Sequence, residues 1–157
     1  MRILMSNQVD FKHISVHEKP EQSPGFLLWH VSTAWRSSIE AVLKLLDLTH
    51  PQFVVLATLG WLTRNGDRVT QAALCTMAGI DPNTTSQILR GLETKKLIKR
   101  VPSIDPRAKN PMLTANGSKL LVKALPAVEA ADAQFFKQLT EKEATAMLSI
   151  FQKLISK

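Results

Sequence analysis

The chain has 157 residues, of which 45% are hydrophobic and 21% charged, a balance typical of a globular protein and not of a disordered one. No window approaches about 18 uninterrupted apolar residues, so we expect no membrane span. The first residues also lack the apolar core and cleavage site of a signal peptide. A single cysteine cannot form an internal disulfide, and we therefore expect a cytoplasmic protein.

The formal net charge of +7 favours a polyanionic partner, and this charge is unevenly distributed. Between Asn65 and Asn110, eight basic residues stand against four acidic ones. The other 111 residues carry twelve basic and nine acidic groups. A generally basic surface would spread the excess evenly, so the middle third of the chain is the candidate polyanion-binding region.

The two ends of the chain differ from this middle part. Residues 1–22 are polar and without helical periodicity, which predicts an arm or a disordered tail. His13 and His17 stand four residues apart there, but no third ligand lies nearby, and we predict no metal site and no cofactor. Residues 23–47 form a predicted helix that starts at Ser23 and carries apolar residues along two sides. One small domain buries one such side, so the second predicts a dimer interface.

Capping side chains mark the starts of the remaining helices. Ser, Thr and Asp accept a backbone N–H of the first helical turn, and this pattern predicts helix starts at Thr49, Thr70, Asp81, Thr114 and Thr140. Glu143 completes a capping box with the last of these. Gly66 is expected to lie at the end of the helix that starts at Thr49.

Two of these helices are short and lie close together in the chain. Residues 71–78 and 82–94 are joined by a turn that contains Gly79, which is the helix-turn-helix pattern. Buried positions of the first helix are expected at Ala73, Leu74 and Met77. Cys75 is expected to be a buried or half-buried small residue.

A hairpin is predicted directly after this pair of helices. Residues 97–101 and 110–113 read as short strands around a basic, turn-rich loop, residues 102–110, which makes the hairpin a wing. The predicted fold is therefore all-α with a small β-wing. Residues 48–113 form a winged helix-turn-helix domain, and residues 23–47 and 114–157 form dimerisation helices.

The outward face of the second helix carries the chemistry for reading DNA. Amide side chains can pair with adenine, and an arginine can pair with guanine or a phosphate, when a helix lies in the major groove. The free N–H groups of the first turn also favour a phosphate. The predicted contacts of this recognition helix, residues 82–94, are Asn83, Thr84, Ser86, Gln87 and Arg90. Phosphate contacts are predicted for Lys99, Arg100 and Lys109, and an ordinary solvated surface is the alternative for both groups.

Four segments of the chain, taken in order, form a recognisable set of motifs. They are Leu48-Thr49-His50-Pro51-Gln52-Phe53, Ile80-Asp81-Pro82-Asn83-Thr84-Thr85-Ser86, Leu92-Glu93-Thr94-Lys95-Lys96-Leu97-Ile98-Lys99-Arg100, and Asp105-x-Arg107 followed by Leu113-Thr114-x-x-Gly117. In this order and spacing they resemble the multiple antibiotic resistance regulator (MarR) family. The sequence departs from the family pattern in three places: Lys96 replaces a glycine, Thr85 an aliphatic residue, and Asn110-Pro111 the usual residues of the returning strand.

The resemblance implies a homodimeric transcriptional regulator, by family habit a repressor, that binds double-stranded DNA at an inverted repeat. It also implies that Asp105 holds Arg107, which enters the minor groove. Family members often bind aromatic or phenolic effectors between the dimerisation helices and the winged domain. The residues here that would line such a cavity are Trp29, His30, Trp35, Arg36, His50 and Trp61, although aromatic residues at helical spacing are more often plain core.

Other classes of function fit less well. No glycine-rich phosphate loop, coherent carboxylate pair or cysteine–histidine pair is evident, so we expect no enzyme. The leading alternative is a winged-helix module whose basic face contacts a protein partner and which has no operator of its own. The polar recognition face without a carboxylate argues against that alternative.

Overall fold

Most helices of this chain begin at a side chain that accepts a backbone N–H of the first turn. The computed structural model describes residues 9–103 and 109–156. Within these ranges it contains helices α1 (Phe11–Ile14), α2 (Pro24–Lys44), α3 (His50–Leu62), α4 (Gln71–Ala78), α5 (Pro82–Thr94), α6 (Ala115–Phe136) and α7 (Glu141–Ile155), a 3-10 turn (Pro20–Gln22) and strands β1 (Ile98–Pro102) and β2 (Lys109–Leu113). The five predicted caps from Thr49 to Thr140 are confirmed. None of the helices in the described ranges is long and apolar enough to cross a membrane.

The chain divides into two compact units, Met1–Trp35 and Arg36–Lys157, and the boundary falls inside α2. In the first unit Asp10 caps the single helical turn α1, none of whose residues is buried. The sequence pattern predicted no helix this early in the chain. A single turn held by its cap needs no apolar face, so it leaves no periodicity in the sequence.

The core of the second unit is built around α3. This helix packs against α4, α5, α6 and β2, and its Val55, Leu56 and Leu59 are fully buried. Because neighbours lie on several sides, α3 is apolar over most of its surface, as a central helix must be. The helix ends at Leu62 rather than near Gly66, which instead closes the following turn with a positive φ of 83°.

The buried face of α4 differs from the predicted one. Leu74 and Cys75 are buried, whereas Ala73 is exposed and Met77 is 54% exposed. The predicted face was therefore wrong for Ala73 and Met77, and the expected burial of Cys75 is confirmed. Because α4 has only eight residues, it buries a narrow face, and the adjacent residues Leu74 and Cys75 form that face.

Helix α5 ends in the backbone conformation that a glycine at position 96 would adopt. Lys96 has a φ of +58°, in the left-handed region. Its N–H donates to the Glu93 carbonyl, and the N–H of Leu97 donates to the Leu92 carbonyl. These are the two hydrogen bonds of a Schellman motif, which satisfies carbonyl groups of the last turn. The replacement of glycine therefore leaves the shape of this helix end intact.

The carbonyl of Leu97 joins three elements. It accepts the N–H of Thr114, whose hydroxyl donates to the neighbouring Lys96 carbonyl. Gly117 lies against the same group, because a Cβ placed there would be 1.9 Å from the Leu97 oxygen. The end of α5, the start of β1 and the first turn of α6 thus meet at one backbone group. The predicted fold class, all-α with a small β-wing, is confirmed.

We expect Gly117→Ala to lower the free energy of unfolding by about 3 kcal/mol, because the added methyl group overlaps a backbone oxygen that cannot move alone. Urea unfolding followed by circular dichroism measures this change. Asn116→Ala, at the exposed neighbouring position of the same helix, is the control and should change stability by less than about 0.5 kcal/mol. Equal stability of the two variants would show that α6 does not depend on this close approach.

Candidate DNA-binding surface

Helix α5 separates a buried face from an exposed polar face. Thr85, Leu89 and Leu92 are buried, and the Thr85 hydroxyl donates to the Ile80 carbonyl at 3.4 Å. This bond gives the one polar group on the buried face a partner. The predicted base-reading residues lie on the other face: Asn83, Thr84, Gln87 and Arg90 are exposed, and Ser86 is half-buried.

Asp81 uses a backbone donor of this helix that a phosphate would otherwise contact. Its Oδ1 accepts the Thr84 N–H at 2.9 Å. Hydrogen bonds from the side chain and then the backbone of Thr84 hold the pKa of the Asp81 carboxyl below its usual value. The phosphate contact expected at this helix end therefore loses the N–H of Thr84.

Glu93, the second carboxylate near the exposed face of α5, forms an ion pair with Arg100. Glu93 Oε2 lies 3.4 Å from Nε of Arg100, whose side chain is only 23% exposed. This ion pair brings the Arg100 side chain of β1 to the end of α5, and the phosphate contact of Arg100 stays a prediction. Lys99 and Lys109 are exposed on the two strands of the wing.

The wing is an antiparallel hairpin with Pro102 opposite Lys109. Arg68, one of the eight basic residues of the middle third and not among the predicted contacts, donates from Nη1 to the Pro102 carbonyl at 3.5 Å. This contact brings a further exposed cation to the end of the wing strands where Pro102 and Lys109 pair, opposite the end that adjoins α5 and α6. No local pattern could indicate it, since 34 residues separate the two partners. The predicted minor-groove residues Asp105 and Arg107 lie outside the residues that the structure describes.

Comparisons with known proteins identify the family. The sequence model of the MarR family matches residues 46–107. YdcH of Bacillus subtilis, an HTH-type transcriptional regulator, is 37% identical over 81 residues, which make up 52% of this chain and 55% of that one. The chain thus spans about half the length of this curated relative. The MarR-family protein Rv2887 of Mycobacterium tuberculosis, in complex with p-aminosalicylic acid, is 31% identical, with 85% of this chain and 99% of that chain covered and a TM-score of 0.65.

The chain belongs to the MarR family of transcriptional regulators. A structure of BpsR from Bordetella bronchiseptica supports the fold, with a TM-score of 0.78 at 23% identity and coverage of 89% of this chain and 99% of that one. Because the members of this family are transcriptional regulators, the chain is a regulator and not an enzyme.

The second unit of this MarR-family chain contains an open apolar cavity of about 780 Å³. Residues of α3, α4, β2 and α6 line it, and Trp61 and Arg64 stand at the end of α3. The Arg64 guanidinium carbon lies 3.9 Å from the centre of the Trp61 ring, and Nη1 donates to the Trp61 carbonyl. A cavity of this size and lining suits a small organic ligand.

The predicted effector-binding residues are divided between the two units. Trp61 lines the apolar cavity. Trp29, His30 and Trp35 belong to the first unit, where the His30 ring packs against Phe26 at 4.3 Å. Arg36 and His50 interact electrostatically with each other in the second unit.

Within residues 9–103 and 109–156, no group of three or more His, Cys, Asp or Glu side chains could hold a metal ion.

His50 occupies the first position of α3 among several charged groups. Burial lowers its pKa below the ordinary value of 6.5, and the positive charge of Arg36 lowers it further. Glu40 and Asp132 act in the opposite direction with smaller effect. The folded chain therefore favours the neutral imidazole.

Stability should fall as the pH drops below about 6.5, because the unfolded chain then binds a proton at His50 that the folded chain resists. Urea unfolding at about pH 7.5 and 5.5 measures the difference. We expect His50→Gln to reduce this difference in unfolding free energy between the two pH values. The control, His30→Gln at an exposed position, should show the wild-type difference. An unchanged difference in His50→Gln would assign the pH dependence to other groups.

Proposed function

We propose that this MarR-family chain is a dimeric, sequence-specific DNA-binding repressor that acts in the cytoplasm, where the chromosome lies. The exposed face of α5 carries this proposal. It offers two amides, hydroxyl groups and the Arg90 guanidinium, and the two acidic groups nearest to it are already bound, Asp81 to Thr84 and Glu93 to Arg100. A helix with such a face matches the major groove in shape and in hydrogen-bonding groups.

Relatives support DNA as the partner. A structure of Rv2887 in complex with DNA is 29% identical to this chain, with 85% of this chain and 98% of that chain covered and a TM-score of 0.64. In the proposed complex α5 lies in the major groove, and Lys99, Arg100 and Lys109 contact phosphates. Asp105 and Arg107, which lie outside the described residues, remain the predicted minor-groove pair.

Exposed apolar side chains support the dimer. Helix α7 has no buried residue and exposes Leu148, Phe151 and Leu154. The N-terminal half of α2 exposes Leu28 and Trp29. Large apolar surfaces of this kind mark protein contacts, and a second copy with two-fold symmetry would cover them. Such a dimer presents two recognition helices about 10 base pairs apart, and its operator is an inverted repeat.

Selection of genomic fragments tests the proposed function. The purified protein is mixed with sheared genomic DNA at about 150 mM salt, and the retained fragments are sequenced. We expect one or a few inverted repeats. Uniform retention would contradict sequence specificity, and no retention would favour the alternative, a module that contacts a protein partner.

Replacement of Gln87 or Arg90 by Ala should weaken binding to the selected operator by about 1–3 kcal/mol and relax its sequence preference, because each variant loses contacts to base edges. Fluorescence anisotropy with operator and scrambled duplexes measures both effects. Lys123→Ala, at an exposed position of α6, is the control for lost charge. Wild-type affinity in both α5 variants would mean that another face binds DNA.

We also propose that the apolar cavity binds an aromatic carboxylate that releases the operator. The Trp61 indole would stack on the ligand ring, and Arg64 would bind the carboxylate. The complex of Rv2887 with p-aminosalicylic acid supports this ligand class. Release requires the ligand to bind more tightly to a form of the dimer with a different spacing of the winged domains.

We expect p-aminosalicylate to lower the affinity of the wild-type protein for its operator. Arg64→Met should weaken this response about tenfold or more, because it removes the positive charge that meets the carboxylate. Titration of the ligand into the preformed DNA complex measures the response. The neutral analogue m-aminophenol, which lacks only the carboxylate, is the control ligand, and an equal response to both compounds would contradict the role of Arg64.

A further inference from the structure

Lys95 joins the end of the recognition helix to a distant turn of the chain. It is the first residue after α5, and its Nζ lies 3.1 Å from Oδ2 of Asp47. The same nitrogen donates to the backbone carbonyl of Asp47 and, at 3.4 Å, to Oε1 of Gln52. One ammonium group thus contacts three oxygen atoms, two of them in the connection between α2 and α3 and one in the first turn of α3.

Two of these acceptors, the backbone carbonyl of Asp47 and Oε1 of Gln52, belong to parts of the backbone and helix cap that have hydrogen bonds of their own. Asp47 has a φ of +53° and is part of a hydrogen-bonded turn in which the Leu48 N–H donates to the Leu43 carbonyl. Gln52 belongs to the capping box of α3, where its Oε1 also accepts the N–H of Thr49. The ammonium group therefore binds to a preformed site and not to mobile side chains alone.

A second contact lies one helical turn earlier in α5. A Cβ at Gly91 would lie 3.3 Å from Nε2 of Gln52, so α5 passes close to the same side chain. The Lys95 side chain is 31% exposed, whereas that of Asp47 is 93% exposed, so water reaches the carboxylate of this ion pair. Gly91 and Lys95 together keep the last turn of α5 against the beginning of α3.

We infer that Lys95 is a positioning residue for DNA binding, an inference that rests on the proposed function. Its three bonds set the angle of α5 relative to the connection between α2 and α3, and with it the depth at which Gln87 and Arg90 enter the groove. Base contacts tolerate only small displacements, so loss of this support weakens binding without removing a DNA contact. The ammonium group is bound to protein oxygens and does not contact a phosphate.

Two matched lysine variants separate this role from a loss of charge. Lys95→Met removes the three bonds, and Lys96→Met removes the same charge at the adjacent exposed position. With the selected operator, we expect Lys95→Met to lose about tenfold in affinity and Lys96→Met to lose less than about threefold. The slope of log affinity against log salt should stay at the wild-type value in Lys95→Met, whereas loss of a phosphate contact would lower it by about one unit.

Asp47→Asn gives the sharpest test, because charge and position act in opposite directions. The substitution makes the protein more positive, and general electrostatic attraction to DNA would then rise. We instead expect a weaker complex, about threefold or more, since the negative charge that pairs with Lys95 is lost. Asn retains the backbone carbonyl and tolerates the left-handed conformation at this position.

The possible outcomes lead to distinct conclusions. Weaker binding by Lys95→Met at an unchanged salt slope, together with weaker binding by Asp47→Asn, supports the positioning role. Wild-type or tighter binding by Asp47→Asn overturns it, as does a lowered salt slope in Lys95→Met. Should Lys95→Met fail to fold, Asp47→Asn decides. Absence of any DNA binding by the wild-type protein overturns the proposed function and this inference together, whereas normal binding by Lys95→Met overturns the inference alone.

Discussion

The backbone carbonyl of Leu97 is the contact on which the winged domain depends. The recognition helix ends there in a Schellman motif, the wing begins there, and the Thr114 N–H and the Gly117 Cα of α6 lie against the same oxygen. The end of α5, the start of β1 and the first turn of α6 therefore meet at one backbone group. A side chain at position 117 would separate them, because the backbone oxygen that it meets is held by the ends of α5 and β1.

The charge of the domain follows from how its few acids are used. Asp81 caps α5, Glu93 contacts Arg100, and Asp47 binds Lys95. Each carboxylate thereby stabilises a helix end or a junction while its negative charge is offset locally. The lysines and arginines without such a role, Lys99 and Arg90 among them, remain to attract a polyanion. The acidic residues thus offset the charge of some basic residues and leave the others available for the proposed contacts with DNA.

The caps were predictable because they depend on local chemistry. Thr49, Thr70 and Asp81 lie three residues before the N–H groups that they accept, so a short window of sequence contains both partners. The buried face of α4 was predicted less well, since an eight-residue helix offers several stripes and its neighbours select among them. The apolar cavity and the contact of Arg68 with the wing left no local signal, because their residues come from distant parts of the chain.

The sequence alone determined the order of the elements from α2 onward, the starts of the capped helices, the polar face of α5 and the resemblance to the MarR family. These features depend on neighbouring residues or on periodicity within one helix. Only the tertiary structure decided that Lys95 reaches Asp47, that Gly117 lies against Leu97, and that Trp61 and Arg64 stand beside a cavity. These contacts join residues far apart in sequence, and packing of the whole unit determines which of them meet.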